Sequence, residues 1–184
     1  MKKLFLLLCI FCLTSSVFTQ SPIDEEEYSV YRAILGSDYN LAINKFTSSD
    51  DSAFKTKHLR RDLKIVQTKT SKDFKKKNKK SYELQNNFLT QKKVFLLTIE
   101  ELRPFYEKSD EDEFAAENAF IEKYGTVSLV TLSRVGFNND KTQAVVEVVY
   151  NSGFCGNCST AYLFILTKEK EDWKIIKKLI TWIS

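Results

Sequence analysis

The chain opens with two lysines, Lys2 and Lys3, followed by ten apolar residues, Leu4 to Leu13, and then by small polar residues. This is the layout of a secretory signal peptide. The apolar run is about half of the roughly 20 residues that a membrane-spanning helix needs. Cleavage fits after Ser16 or Thr19. We take Thr19, which makes residues 1–19 the signal peptide and residues 20–184 the mature protein. An acylated Cys9 or Cys12 is disfavoured, because each follows a bulky residue, Leu8 or Phe11.

Beyond the signal, Asp24 to Leu35 reads as a helix. Its first turn is acidic, Tyr28, Tyr31, Ile34 and Leu35 form one stripe, and Gly36 stands where a helix stops. Residues 37–92 show little periodicity. Asn40–Phe46 alternates like a short strand, Ser48–Ser52 reads as a loop, and the stretch from Ser71 reads as a short capped helix. Val94–Leu97 is a buried-strand candidate. Thr98 and Glu101 have capping-box spacing, and the helix they start should be short or kinked at Pro104. Asp110–Tyr124 is the best helix pattern, with Phe114, Ala115, Phe120, Ile121 and Tyr124 expected inward and Gly125 as its stop. After it come four strand patterns: Val127–Phe137, Gln143–Tyr150, Tyr162–Thr167 and Trp173–Ile183. Asn138–Lys141 and Lys168–Asp172 read as the turns of two hairpins. The expected fold is a single α+β domain. Its helical and basic part spans residues 20–125, and a four-stranded antiparallel β-meander over 126–184 is packed by the preceding helix.

Composition narrows the chemistry. Five glycines and two prolines exclude collagen-like and Pro-rich chains. A single histidine, His58, removes most histidine-based catalysis and metal binding. No Gly-rich phosphate loop, G-x-S-x-G elbow or H-E-x-x-H motif is present. No cofactor and no metal site is expected. Loss of the signal leaves 165 residues with 26 basic and 24 acidic side chains.

Charge is unevenly placed. Lys55–Lys93 holds 14 basic residues against three acids, whereas Thr98–Glu122 holds nine acids against two basic residues. The plain expectation is a solvated face partly neutralised by acidic helices packing nearby. The sharper one is an anion-binding surface built on Lys75, Lys76, Lys77, Lys79 and Lys80. In an exported protein its partner would be an acidic glycan, an anionic lipid surface or an acidic protein, rather than nucleic acid.

Cys155-Gly156-Asn157-Cys158 is the sharpest motif. In an exported protein the pair is expected to oxidise to a disulfide. Thiol–disulfide exchange is the rival reading. It needs a helix after the first cysteine to lower its pKa, and the residues that follow are strand-like. A zinc site would need more ligands than Cys155, Cys158 and His58. Arg134 and Glu147 are charges inside apolar strands, and a tight hairpin at Asn139-Asp140 would make them diagonal neighbours on one sheet face. They are expected to form an ion pair on the open face or, alternatively, a polar pair in a ligand cleft.

The C-terminal third, with Ser133-Arg134-Val135-Gly136-Phe137-Asn138, Cys155-Gly156-Asn157-Cys158, Trp173-Lys174-Ile175 and Trp182-Ile183-Ser184, resembles a set of uncharacterised exported bacterial proteins. The resemblance implies no activity and no site residues. Helices followed by a long meander is also loosely the layout of cystatin-like and nuclear-transport-factor-like folds, which host enzymes and binding modules alike. The functional expectation is a non-catalytic binding module of the cell envelope or extracellular space, secreted or periplasmic. The alternatives are a small enzyme with a pocket between helices and sheet, or a thiol–disulfide oxidoreductase.

Overall fold

The computed structural model describes residues 23–36, 40–50, 52–88, 93–154 and 158–184. The expected signal peptide lies outside these residues. Among the described residues, four α-helices and seven strands are arranged as α1 (Glu25–Leu35), β1 (Leu41–Asn44), α2 (Thr68–Lys77), β2 (Val94–Leu97), α3 (Ile99–Glu111), α4 (Glu113–Tyr124), β3 (Ser128–Leu132), β4 (Gly136–Phe137), β5 (Gln143–Ser152), β6 (Ser159–Glu169) and β7 (Asp172–Ile183). Three short 3-10 turns, Ser52–Lys55, Lys57–Leu59 and Asp62–Ile65, lead into α2.

The sheet corrects the expectation of a four-stranded antiparallel meander. It is a seven-stranded mixed sheet in the order β2-β1-β3-β5-β6-β7, with β4 paired to β5. β1 runs parallel to both β2 and β3, whereas β3 to β7 are antiparallel. β1 and β2 have only four residues each, and their partners lie far away in sequence. No turn signal announces such pairing, because parallel strands need a long crossover rather than a hairpin.

The sheet is covered on both faces. On one, α1 and the chain around Leu84 and Phe88 pack on Ile43, Val130, Leu132, Val146, Val148, Phe164 and Leu166. The other face is shared. α3 and α4 cover the β1–β3 half through Leu102, Phe105, Ala116 and Phe120. The 3-10 turns and α2 cover the β5–β7 half through Ala53, Leu59 and Phe74, against Val145, Leu163, Ile165 and Leu179.

Local chemistry explains where the helices differ from expectation. Asp112 is extended (φ −152°, ψ 102°) and its carboxylate accepts the Ala115 N–H at 3.0 Å. It therefore caps α4 and divides the expected Asp110–Tyr124 helix. The shifted start turns Ala116, Phe120 and Tyr124 inward, while Phe114 is 77% exposed and Ile121 also faces out. Pro104 does not shorten α3, which runs on to Glu111. Leu102 and Phe105 on either side of it are buried against α4, so packing outweighs the lost backbone hydrogen bond. The Val127–Phe137 pattern breaks into β3 and β4 because the regular pairing lapses over Ser133–Val135: Ser133 still donates its N–H to the Glu147 carbonyl at 2.9 Å, but its hydroxyl takes the Glu147 N–H and Asn78 takes that of Arg134.

Candidate functional site

The break at Ser133–Val135 exists for a buried charge cluster. Arg134 is 3% exposed and Glu27, on α1, is fully buried. The guanidinium donates through Nε and Nη2 to the two Glu27 oxygens, at 2.8 and 2.5 Å, and the Val135 N–H adds a third bond at 3.0 Å. Lys77 reaches the same carboxylate at 3.4 Å. Asn78 binds the Arg134 backbone at both ends, at 2.7 and 2.9 Å, and Tyr82 lies beneath the guanidinium, 4.4 Å from its carbon. Among the described residues no buried side-chain nitrogen or oxygen is without a hydrogen-bond partner, so this cluster is a clasp joining α1, α2 and the β3–β4 connection rather than a reactive centre.

The expected Arg134–Glu147 pair does not form. Gly136, not Arg134, stands opposite Val145. Asn138 makes a wider loop than a two-residue turn, its side-chain oxygen taking the N–H groups of Thr142 and Gln143 at 2.8 and 3.0 Å. Glu147 instead accepts from the Thr181 hydroxyl at 2.7 Å. Burial lifts its carboxyl above the ordinary carboxylate range, the Thr181 bond opposes this, and the charge of Asp50 adds to it.

The lysine group divides in two. Lys77 is drawn into the fold, meeting Glu27 and Asp73, donating to the Val135 carbonyl at 3.0 Å and standing over Phe137. Lys75 stands over the ring of Phe54 and is exposed, as are Lys72, Lys76, Lys79 and Lys80. Lys75 to Lys77 occupy the last turn of α2, where the helix dipole favours positive charge.

The acidic helices do not neutralise this layer. Among the described residues no ion pair joins α3 or α4 to residues 52–83. Each of the layer's own acids is engaged: Asp62 by Lys177 of β7, Asp73 by Lys77, and Glu83 by Lys45. The two helical layers bury their apolar faces on opposite halves of one sheet face, and this keeps the two charge blocks apart.

Beside this layer lies a hollow of about 280 Å³, between α2 and the loop after β4. Lys69, Asp73, Lys77, Phe137, Asn139 and Lys141 line it. The ammonium groups of Lys77 and Lys141 stand 4.8 and 5.5 Å from the centre of the Phe137 ring. Lys141 also pairs with Asp24 at 3.2 Å. Burial acts to raise the Asp24 pKa, but the Glu27 N–H together with Lys141 and Lys77 holds it below the ordinary range. No signal in the linear pattern points to this hollow, since Lys69 and Lys141 are 72 residues apart in the chain.

Cys155 lies outside the described residues. Cys158 directly precedes β6, so a strand follows the motif and not the helix N-terminus that would activate a thiol. A cleft of about 390 Å³ borders this end of β6, with Tyr106, Ser109 and Asp110 on its helical side. The Ser109 hydroxyl donates to the Phe154 carbonyl at 2.6 Å, and Ser159 to the Asn151 amide oxygen at 2.5 Å. Neither acceptor takes up a proton, so neither hydroxyl is activated as a nucleophile. Among the described residues no group of three or more His, Cys, Asp or Glu side chains is placed to hold a metal ion, and no helix is long and apolar enough to cross a membrane.

No family model, no curated protein and no solved structure matches the chain.

Proposed function

We propose that this chain is an exported, non-catalytic binding module that holds an anionic polymer, an acidic glycan, on the layer formed by α2 and the 3-10 turns. The observation that supports it most is the uncompensated charge of that layer. The dipole of α2 accounts for lysines in its last turn, but it does not ask for Lys72, Lys79 and Lys80, nor for Lys57, Arg60, Arg61 and Lys64 on the turns before it. Lys72, Lys76 and Lys79 or Lys80 recur three to four residues apart, which lines them up along one side of the helix and the turn after it. A line of point charges suits a chain of acidic units better than a single small anion. Lysine meets carboxylate and sulfate groups as a compact charge, without the planar fork by which arginine reads phosphates and bases.

The test is retention on immobilised heparin as salt is raised. The protein is expected to bind at low salt and to elute early as screening shortens the reach of each ammonium to about 10 Å at 0.1 M. Joint replacement of Lys72, Lys76, Lys79 and Lys80 by Ala should lower the salt needed for elution markedly and move the unfolding midpoint only slightly, because these side chains are exposed. Retention that neither added salt nor these replacements weaken overturns the reading.

A further inference from the structure

Resting on the proposed basic layer, we infer that the hollow between α2 and the Asn138–Lys141 loop is the seat of one acidic sugar unit, carrying a sulfate or a carboxylate. Three cationic side chains converge there from two separate elements, Lys69 and Lys77 from α2 and Lys141 from the loop. Lys77 already shares its charge with Glu27 and Asp73. Lys69 is exposed and has no ion pair among the described residues. Lys141 has one ion pair among the described residues, to Asp24 at the surface, a contact that an incoming anion can replace at little cost.

The backbone supplies a second observation. Lys141 has φ 49°, in the left-handed region that a lysine rarely enters. Asn138 holds the loop in this shape, accepting from Thr142 and Gln143 while its own carbonyl accepts from the Lys141 N–H at 3.1 Å. Asparagine or glycine would adopt the conformation with less strain. The loop so held brings the Lys141 ammonium group over the hollow, 5.5 Å from the centre of the Phe137 ring; Lys170, at φ 57° in the β6–β7 turn, shows that the conformation alone marks no site. Asn139, two residues before Lys141, is exposed and offers an amide that can both donate to and accept from a sugar hydroxyl. At about 280 Å³ the hollow has room for one ring and its charged substituent and not for a folded partner. The exposed lysines farther along α2 and its following turn would carry the neighbouring units.

A heparin-derived sulfated disaccharide is the probe, followed by backbone amide NMR and calorimetry on the full mature chain. We expect saturable binding with shifts at Phe137–Lys141 and the first turns of α2. Lys69→Ala and Lys141→Asn should each weaken it by about tenfold. Lys141→Asn should also keep or raise the unfolding midpoint, which separates a binding role from a folding role. Replacing Lys79 and Lys80 by Ala should weaken the polymer and spare the disaccharide. If free sulfate competes as well as the disaccharide, the site is a simple anion hollow and the sugar assignment falls. If the disaccharide fails to bind while heparin is still retained, the hollow is wrong and the basic layer stands. If neither binds, both fall.

Discussion

Arg134 owes its burial to Glu27, which lies 107 residues before it in the chain. A buried ion pair is tolerated only when its geometry is good and the remaining lone pairs and protons are met; the Val135 N–H and Lys77 supply donors to the lone pairs of Glu27 that Arg134 leaves over. Arg134→Ala would leave the Glu27 carboxylate buried with only Lys77 and one amide, and should cost about 3–5 kcal/mol, read as a fall in the urea midpoint. Glu147 behaves in the opposite sense. Its raised pKa means that the folded protein keeps the proton at a pH where the unfolded chain has released it. Its contribution to stability is fullest below the unfolded pKa and is lost as pH climbs through the folded one. Glu147→Gln retains an oxygen for the Thr181 hydroxyl, so the variant should lose less stability than the parent as pH rises above about 4 in parallel urea titrations. The sequence showed that both residues are charges set among apolar neighbours. It did not show their partners, because an ion pair between distant segments leaves no local spacing.

Gly136 decides how close α2 can come to the sheet. A Cβ placed on it would lie 2.5–2.6 Å from the backbone and Cβ of Phe74, a separation no packed pair of atoms tolerates. Gly136→Ala should therefore push α2 off β4 and destabilise by about 1–3 kcal/mol, with loss of near-ultraviolet ellipticity from the Phe54–Phe74 pair. The start of α3 was legible in the sequence, since the Thr98 and Glu101 side chains close a capping box there. Thr98→Ala should cost about 1 kcal/mol in thermal or urea unfolding. The division of the Asp110–Tyr124 helix at Asp112 was less legible, because four acids in a row all suit a first turn and only geometry selects the one that caps. The 3-10 turns before α2 carry no periodic signal at all, being too short to repeat.

Charge separation is a property of the whole molecule. The basic and acidic blocks were plain in the sequence, but their placement on two halves of one sheet face depends on which strands adjoin, and β1 and β2 gave no clue to that. The chain should consequently bind a cation exchanger more tightly than its 28 basic and 24 acidic residues suggest, and reversal of charge on α2 should remove the excess.

The parallel pairing of β1 sets the order in which the molecule comes together. β5, β6 and β7 meet through short connections, whereas β1 must find Val94–Leu97 and Leu129–Val130 across long stretches of chain. Closing such loops is slow, so refolding should be led by the β5–β7 hairpins, with the amides of Leu41–Asn44 the last of the sheet to gain protection from exchange.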